Sequence, residues 1–454
     1  MRNVVVVGGG LAGLAVSALL SKSGFAVTVA EARPKTAQED GETLRSINLA
    51  LSARGILTLG GLGLQYDAMR SAVRLYGRRI HLANGSEDFQ PYDLVGRKAI
   101  YSIRRAQLWK LLCGAAESSG VALRFGARLV GVDRHTRTAI IADRDGQESS
   151  LFYDVLIGSD GAHSAVRQML VQERLVVEET HAIRHAYLEL SIPRERAVGL
   201  ERHALHIWPR NDQMLVALPN TDGSFTASLF LPEDHARSTD ALMCVFHREF
   251  PDITSLIPDL PATLAQRPIG RLFTSKCRPW SDGEAVLLLG DAAHTMAPFY
   301  GQGMNCALED CWLLMRSVKH LFGNWQRILE HFECNRRGDA DAITILSQAN
   351  YNEMSQSVVD SEFKVRREIE RVLQVRFPTI FVPLYAMIAF SNMPYAEAMD
   401  RGVAQDRIVD RLADGLSRNA NLDLEAAWLK TALAGLGTVR TNIWTQPESE
   451  LDAI

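Results

Sequence analysis

Cysteine is sparse, with six in 454 residues. Cys113, Cys244, Cys277, Cys306, Cys311 and Cys334 form no CxxC pair and no dense framework. That excludes a disulfide scaffold and reads as free or buried thiols of a reducing compartment. A surplus of one charge is missing too. The 49 basic and 53 acidic side chains leave a net charge of −4, which gives no sign of a nucleic-acid or polyanion binder. No stretch offers about 20 uninterrupted apolar residues. The most apolar late stretch, 377–393, is broken by Pro378 and Pro383 and carries Tyr385, Ser391 and Asn392. The N-terminus has no charged region leading to a cleavable apolar core, because its apolar run turns straight into glycines. A soluble, cytoplasmic protein without a membrane anchor is expected. Metal-ligand spacing is absent as well: Cys306 and Cys311 lie five apart on an expected helix, and no further Cys or His completes a site, so no metal is expected.

What is present is core material: 47% hydrophobic and 22% charged residues, in a length that suggests about two to four domains. The chain opens on Val4-Val5-Val6-Val7, a β-branched run suited to a parallel strand buried on both faces. Gly8-Gly9-Gly10-Leu11-Ala12-Gly13 follows, then an apolar helix-forming run over 14–20. Gly8, Gly10 and Gly13 fill GxGxxG, which serves a tight turn, close backbone approach to a pyrophosphate and close helix–strand contact. A second strand, Ala26-Val27-Thr28-Val29-Ala30, ends on Glu31, placed to accept a ribose 2′-hydroxyl. A bare GxGxxG is often only a glycine-rich turn, but strand, helix, second strand and terminal acid in register read as a dinucleotide site. Glu31 followed by Arg33 suits an adenosine without a 2′-phosphate, hence FAD or NAD.

Two later stretches choose between these. Asp154-Val155-Leu156-Ile157-Gly158-Ser159-Asp160-Gly161 reads as a buried strand and a D-G turn opening a helix. Ala285-Val286-Leu287-Leu288-Leu289-Gly290-Asp291 reads as a strand that ends on a carboxylate able to bind polyol hydroxyls. The loop Pro298-Phe299-Tyr300-Gly301-Gln302-Gly303-Met304-Asn305 then leads into a helix whose amide end could face an electron-rich ring edge.

With these three motifs in this order, the sequence resembles the flavin-dependent aromatic hydroxylases, the para-hydroxybenzoate hydroxylase-like class. The resemblance implies FAD held by Gly8, Gly10, Leu11, Ala12, Gly13, Glu31, Ala32, Arg33, Arg105, Leu129, Asp160, Asp291, Pro298, Gly301, Gly303, Met304 and Asn305. No second strand-GxGxxG-helix unit is present in the sequence, so NADPH is expected to bind transiently without a Rossmann domain of its own. Within the class, Arg45-Ser46-Ile47-Asn48-Leu49-Ala50-Leu51-Ser52, Leu205-His206-Ile207-Trp208-Pro209-Arg210, Ala217-Leu218-Pro219-Asn220, Asn350-Tyr351-Asn352-Glu353-Met354 and Phe381-Val382-Pro383-Leu384-Tyr385 resemble the kynurenine 3-monooxygenase family, over about residues 3–405. The tail beyond resembles the family's soluble bacterial members.

That resemblance implies a small aromatic amino acid as substrate, its carboxylate end held by Arg78, Tyr92, Asn350 and Tyr385. A guanidinium offers the bidentate fork a carboxylate prefers, and two phenols with an amide complete its shell. The competing reading makes Arg78 a solvated strand charge and the tyrosines core aromatics. The aryl end is expected against Leu205, Met214, Val216, Leu218, Ser228 and Phe230, with Pro298, Phe299, Tyr300 and Met354 beside it. Met214, Val216 and Leu218 alternate with Leu215 and Ala217 and so share a strand face. His294 reads as structural, since this chemistry needs no histidine base.

The expected fold class is α/β: a Rossmann-like FAD-binding domain (1–72, 97–178 and 270–345), an inserted strand-rich substrate domain (73–96 and 179–269) and a C-terminal helical region (346–454). The resemblance implies that NADPH reduces FAD, O₂ adds to form a flavin hydroperoxide, and one oxygen passes to the ring carbon ortho to an aniline nitrogen, with no catalytic residue from the protein. A monomer or homodimer is expected. Two alternatives stay open: hydroxylation of another 2-aminoaryl amino acid such as a methylated kynurenine, and a flavoprotein that binds or senses an aromatic amino acid without hydroxylating it.

Overall fold

The computed structural model describes residues 2–36, 48–92, 98–321, 323–355, 361–418, 424 and 427–439. Of the positions named above, Arg45, Ser46, Ile47, the boundary at 97 and the tail from 440 lie outside these, as do the side chains of Asn352 and Glu353.

A five-stranded parallel sheet runs in the order Val286–Leu288, Val155–Gly158, Asn3–Val7, Ala26–Glu31, Ala122–Phe125. Val4 to Val7 are all buried, as a strand covered on both faces must be. Helix Leu11–Lys22 follows the first strand and joins the apolar core built on this sheet, as does helix Gly303–His320. The GxGxxG turn therefore sits at the carboxyl end of the central strand, next to Ser159 and Asp160 at the end of its neighbour. Two three-stranded antiparallel sheets flank it, one of Arg128–Asp133, Thr138–Ala142 and Glu148–Phe152, the other of Asn48–Leu51, Ile100–Arg104 and Val73–Leu75.

The inserted region supplies most of an eight-stranded sheet in the order His294–Thr295, Gly270–Arg278, Val177–Ile192, Phe225–Pro232, Gln213–Pro219, Ala204–Arg210, Gly77–His81, Glu87–Pro91. Strand alternation gives it two unlike faces. Leu188, Leu190, Leu215, Ala217, Ala227 and Leu229 build a core with helix Thr239–Glu249. The opposite face meets Phe299, Tyr351 and Met354.

The fold class is as expected; three expected boundaries fall elsewhere. Strand Gly270–Arg278, expected on the flavin side, pairs with Val177–Ile192 in the large sheet. Val73–Leu75, expected in the inserted region, pairs with Ile100–Arg104. Residue 346 falls inside helix Trp325–Ser355, whose amphipathic pattern runs on through it. Helices Ser361–Arg376, Leu384–Ala389, Tyr395–Arg418 and Ala427–Leu436 follow. Among the described residues, no helix is long and apolar enough to cross a membrane.

Candidate active site

The glycines of the first turn do different jobs. Gly8 has φ +101°, and a Cβ there would come within 2.6 Å of the Ser159 carbonyl; a Cβ on Gly13 would lie 1.9 Å from the Gly8 carbonyl. Both positions must be glycine for the turn to close. Gly10 has nothing within 4 Å of its Cβ position, so its backbone faces open space. Around that space lie the Leu11 end of the first helix, half-buried Ala12 and the buried Glu31 carboxylate. Glu31 Oε2 accepts from the Gly9 amide at 2.7 Å, and Oε1 accepts from the Arg33 amide and Nε at 2.9 and 2.8 Å. The carboxylate thus ties the turn to the end of the second strand, where Ala32 and Arg33 are exposed. Leu129 is buried in the main core, close to that strand end because Ala127 N–H donates to the Glu31 carbonyl.

Arg105 and Asp291 mark the other end of the same space. Both side chains have an open face, yet both sit deep among protein atoms. Burial pushes the Asp291 carboxyl up, with His294 and Arg105 pulling it back, and pushes the Arg105 guanidinium down, with Asp291 pulling it back. An open, deep strip between a glycine turn at a helix N-terminus and a facing Arg–Asp pair fits a dinucleotide cofactor. Gly301, at φ +67°, closes the turn after Pro298–Tyr300, and helix Gly303–His320 starts there with Gly303 and Met304 only half-buried. Two expected cofactor side chains are occupied by the protein itself. Asp160 accepts from Ser164 Oγ and from the Ala165 amide at 2.7 Å, capping helix Ala165–Gln172. Asn305 is fully buried; its Nδ2 donates to the carbonyls of Ala50 and Gly301, and its Oδ1 accepts from the Ser52 amide. Their side chains fix the loops, and backbone is what these positions offer a cofactor.

The sheet register sets the other half of the site. Tyr187, Phe230 and Met214 stand in one cross-strand row, Glu189, Ser228 and Val216 in the next. Ser191, Thr226 and Leu218 form a third. Leu205 pairs with Arg78 and points to the same face. Every sheet residue expected at the aryl pocket is on this face. Leu205, Val216, Leu218 and Ser228 are only half-buried, whereas their neighbours on the opposite face are buried. Pro298 is exposed, and Phe299 packs edge-on to Phe230 with ring centroids 5.2 Å apart.

At one end of the face the four expected carboxylate residues converge. The Arg78 guanidinium carbon lies 4.4 Å from the Tyr385 ring centroid and 5.9 Å from that of Tyr92. The two phenol rings stack at 5.1 Å, and Tyr300 stacks on Tyr385 at 5.7 Å. Asn350 Nδ2 donates to the Phe299 carbonyl at 2.7 Å and to Met354 Sδ at 3.0 Å. Arg78, Asn350, Tyr300 and Tyr385 line a cavity of about 380 Å³. Burial, with the Tyr385 phenol beside it, holds Tyr92 protonated far above its ordinary range against the opposing effect of Arg78, so it remains a donor. A guanidinium with phenol donors beside an apolar face has the chemistry to take the carboxylate of an aromatic acid.

A family profile described as FAD binding domain matches residues 1–344. Kynurenine 3-monooxygenase of Myxococcus xanthus is 39% identical over 435 residues, covering 94% of each chain. The enzyme of the same name from Legionella pneumophila is 35% identical, covering 91% of this chain and 93% of its own. The chain belongs to the kynurenine 3-monooxygenase family. Solved structures share the fold at lower identity: 2-methyl-3-hydroxypyridine-5-carboxylic acid oxygenase has a TM-score of 0.65 at 21% identity, covering 78% of this chain and 93% of that one. Tetracycline destructase Tet(51) has a TM-score of 0.61 at 18% identity, covering 83% and 97%.

Several residues of this family member escape sequence reasoning. Tyr351 packs on Phe299 at 4.3 Å and its hydroxyl donates to the Asp212 carbonyl at 2.6 Å. Tyr187 and the buried Glu189 extend the same sheet face, and alternation along 186–192 is the pattern that marks it. Behind Asp291 runs a buried ionic chain. His294 Nε2 lies 2.7 Å from Asp310 Oδ2, Asp310 Oδ1 accepts from Arg336 Nε at 2.7 Å, and Arg336 and Arg54 both hold Glu309. The two acids inside the apolar run Ala307–Leu314 were its only mark in the sequence. His294, Cys306 and Asp310 lie close enough together for a metal. Arg336 already donates to Asp310 and to Cys306 Sγ, and burial pushes the Cys306 thiol up, so this donor set suits a guanidinium.

Proposed function

We propose that this chain is an FAD-dependent monooxygenase that hydroxylates L-kynurenine at ring position 3, using NADPH and O₂. The observation that carries this reading is the convergence of Arg78, Tyr92, Asn350 and Tyr385 at the polar end of an apolar sheet face. The parallel sheet with its helices serves the cofactor and the eight-stranded sheet serves the substrate, while helix Trp325–Ser355 and the helices after it complete the clamp.

Bound FAD supplies the redox chemistry and the activation of oxygen. The Gly8–Gly13 turn and the first helix would hold its pyrophosphate, the Glu31–Arg33 strand end its adenosine, and Asp291 with Arg105 its polyol chain. The amides of Gly303 and Met304, in the first turn of their helix, would donate to its ring edge. Arg78 takes the substrate carboxylate bidentately, with the Tyr92 and Tyr385 hydroxyls donating to it and Asn350 completing the shell. That anchor fixes the aryl ring over Met214, Val216, Leu218, Leu205, Ser228 and Phe230. Phe299, Tyr300, Pro298 and Met354 close the space and keep water from the reacting carbon. The substrate's own aniline nitrogen pushes electrons onto its ortho carbon, so no protein base is required. NADPH docks transiently, and the enzyme works in the cytoplasm as a monomer or homodimer.

The test uses purified protein with FAD, NADPH, O₂ and L-kynurenine, followed by mass spectrometry. The expected product is heavier by one oxygen and forms in step with NADPH consumed. NADPH oxidation that yields only hydrogen peroxide with every 2-aminoaryl amino acid tried would sink the proposal.

A further inference from the structure

The cavity at the carboxylate clamp extends beyond what the clamp needs. Arg78, Asn350 and Tyr385 form its inner wall, and the facing sides of helices Ser361–Arg376 and Tyr395–Arg418 form its outer one. At about 380 Å³ it falls within the range of roughly 300–1,000 Å³ typical of small-molecule sites. Ala349 and Gly402, with minimal side chains, also line it. A Cβ on Gly402 would stand 3.2 Å from two carbons of the Leu384 side chain, so small size there preserves the space.

The outer wall carries charges of both signs. Arg366 pairs with Asp406 at 3.3 Å and with Asp410, joining one helix to the other, and Arg367 pairs with Glu370 at 2.9 Å. Such pairs between partly exposed side chains part and re-form easily. Deeper in, the two helices are joined by an apolar seam that includes Ile369, Leu373, Ile408 and Leu412. The wall is therefore firm below and loosely latched at its rim. The lining runs from the charged rim to Arg78, which pairs with Leu205 at the edge of the apolar sheet face. An aromatic amino acid moving inward ring first reaches its bound pose without turning round, its charged end arriving last at Arg78.

We infer that this cavity is the route by which a zwitterionic aromatic amino acid reaches the clamp, and that the mixed charges at its rim are the first docking point for the α-ammonium and α-carboxylate. The inference rests on the reading of Arg78 as the carboxylate anchor.

A plug in a route slows arrival and departure together and leaves equilibrium affinity alone; a change in the bound site alters affinity. The experiment follows L-kynurenine binding to the oxidised, FAD-loaded enzyme by stopped-flow absorbance of the flavin. In Ala349→Trp, both rate constants should fall by about tenfold or more while Kd stays within about twofold. Arg366→Ala, which removes a docking cation from the rim, should lower the arrival rate, and it stands as an independent arm if the tryptophan variant loses FAD. Rates unchanged in the variants place the route elsewhere and overturn the inference. A change in Kd alone makes Ala349 part of the bound site, which overturns it too. Failure of the functional reading shows separately, as no kynurenine binding by the wild type, and removes this inference with it.

Discussion

Arg78 is 8% exposed and stands beside two stacked phenols, so a carboxylate that reaches it exchanges water for a guanidinium and neutral donors. Removing one partner of a desolvated charge pair costs about 2–5 kcal/mol. Arg78→Ala should weaken kynurenine binding by roughly thirty- to several-thousand-fold. Arg78→Lys should recover only part, because an ammonium keeps the charge and loses the planar fork. Equilibrium titration checks this, with the decarboxylated amine as control: wild type should prefer the acid, Arg78→Ala should not, and FAD content should stay near normal in both variants. Two strands carry a second pair on the face turned away from Arg78. His81 Nε2 and His206 Nδ1 are 2.7 Å apart, and burial lowers each imidazole from 6.5 to about 4. Below pH 6.5 the unfolded rings take up protons that the folded rings refuse until about pH 4. The unfolded state binds more protons throughout that window, so stability should fall as pH drops through it. Urea midpoints at pH 7 and pH 5 should separate more in wild type than in a His81→Gln, His206→Gln double variant; equal separations would show that the pair does not govern acid sensitivity.

Helix Gly303–His320 shows how an element built for one purpose serves another. Its amino end faces the glycine-turn space, while Asp310, two turns in, reaches back through His294 to the turn that carries Asp291, and Glu309 beside it pairs with Arg336. Asp310 also accepts from the Gly290 amide at 3.3 Å, so the acid fixes both ends of that turn. Arg336, on the next helix, neutralises both acids and is 1% exposed. Arg336→Met would leave them buried with one guanidinium fewer, a loss of about 3–5 kcal/mol. Chemical denaturation of the FAD-loaded protein should show that loss, with faster FAD release because the Asp291 turn is freed. Unchanged release would make the chain a stability device alone. None of this was legible beforehand. Acids in an apolar helix mark a buried partner, but the partner lies 26 residues from Asp310 in the case of Arg336 and 255 from Glu309 in the case of Arg54. The sheet face was legible, since Met214, Val216 and Leu218 follow a period of two that any strand imposes. Asp160 and Asn305 went the other way: their side chains are bound into cap and loop, because local partners compete for the bonds that a distant ligand would use.

At the scale of the molecule, the first βαβ unit and the order of the three motifs were readable because each is local: strand, turn and helix signals lie within about thirty residues. The segment boundaries were not, because pairing across a sheet obeys tertiary need. Gly270–Arg278 joins the large sheet since the long strand beside it, 16 residues, has an edge to satisfy there. The parallel sheet has a further consequence, for biosynthesis. Strand Asn3–Val7 finds one neighbour at 26–31, but its other neighbour is Val155–Gly158, whose own partner ends at Leu288. At about 5–20 residues per second, a ribosome delivers that last strand on the order of 15–60 s after the glycine turn. For that interval the nascent chain carries a completed phosphate turn beside an unfinished sheet edge of valine, leucine and isoleucine. Cofactor capture is then a late event in the life of the polypeptide, and the exposed edge is what a chaperone would meet first.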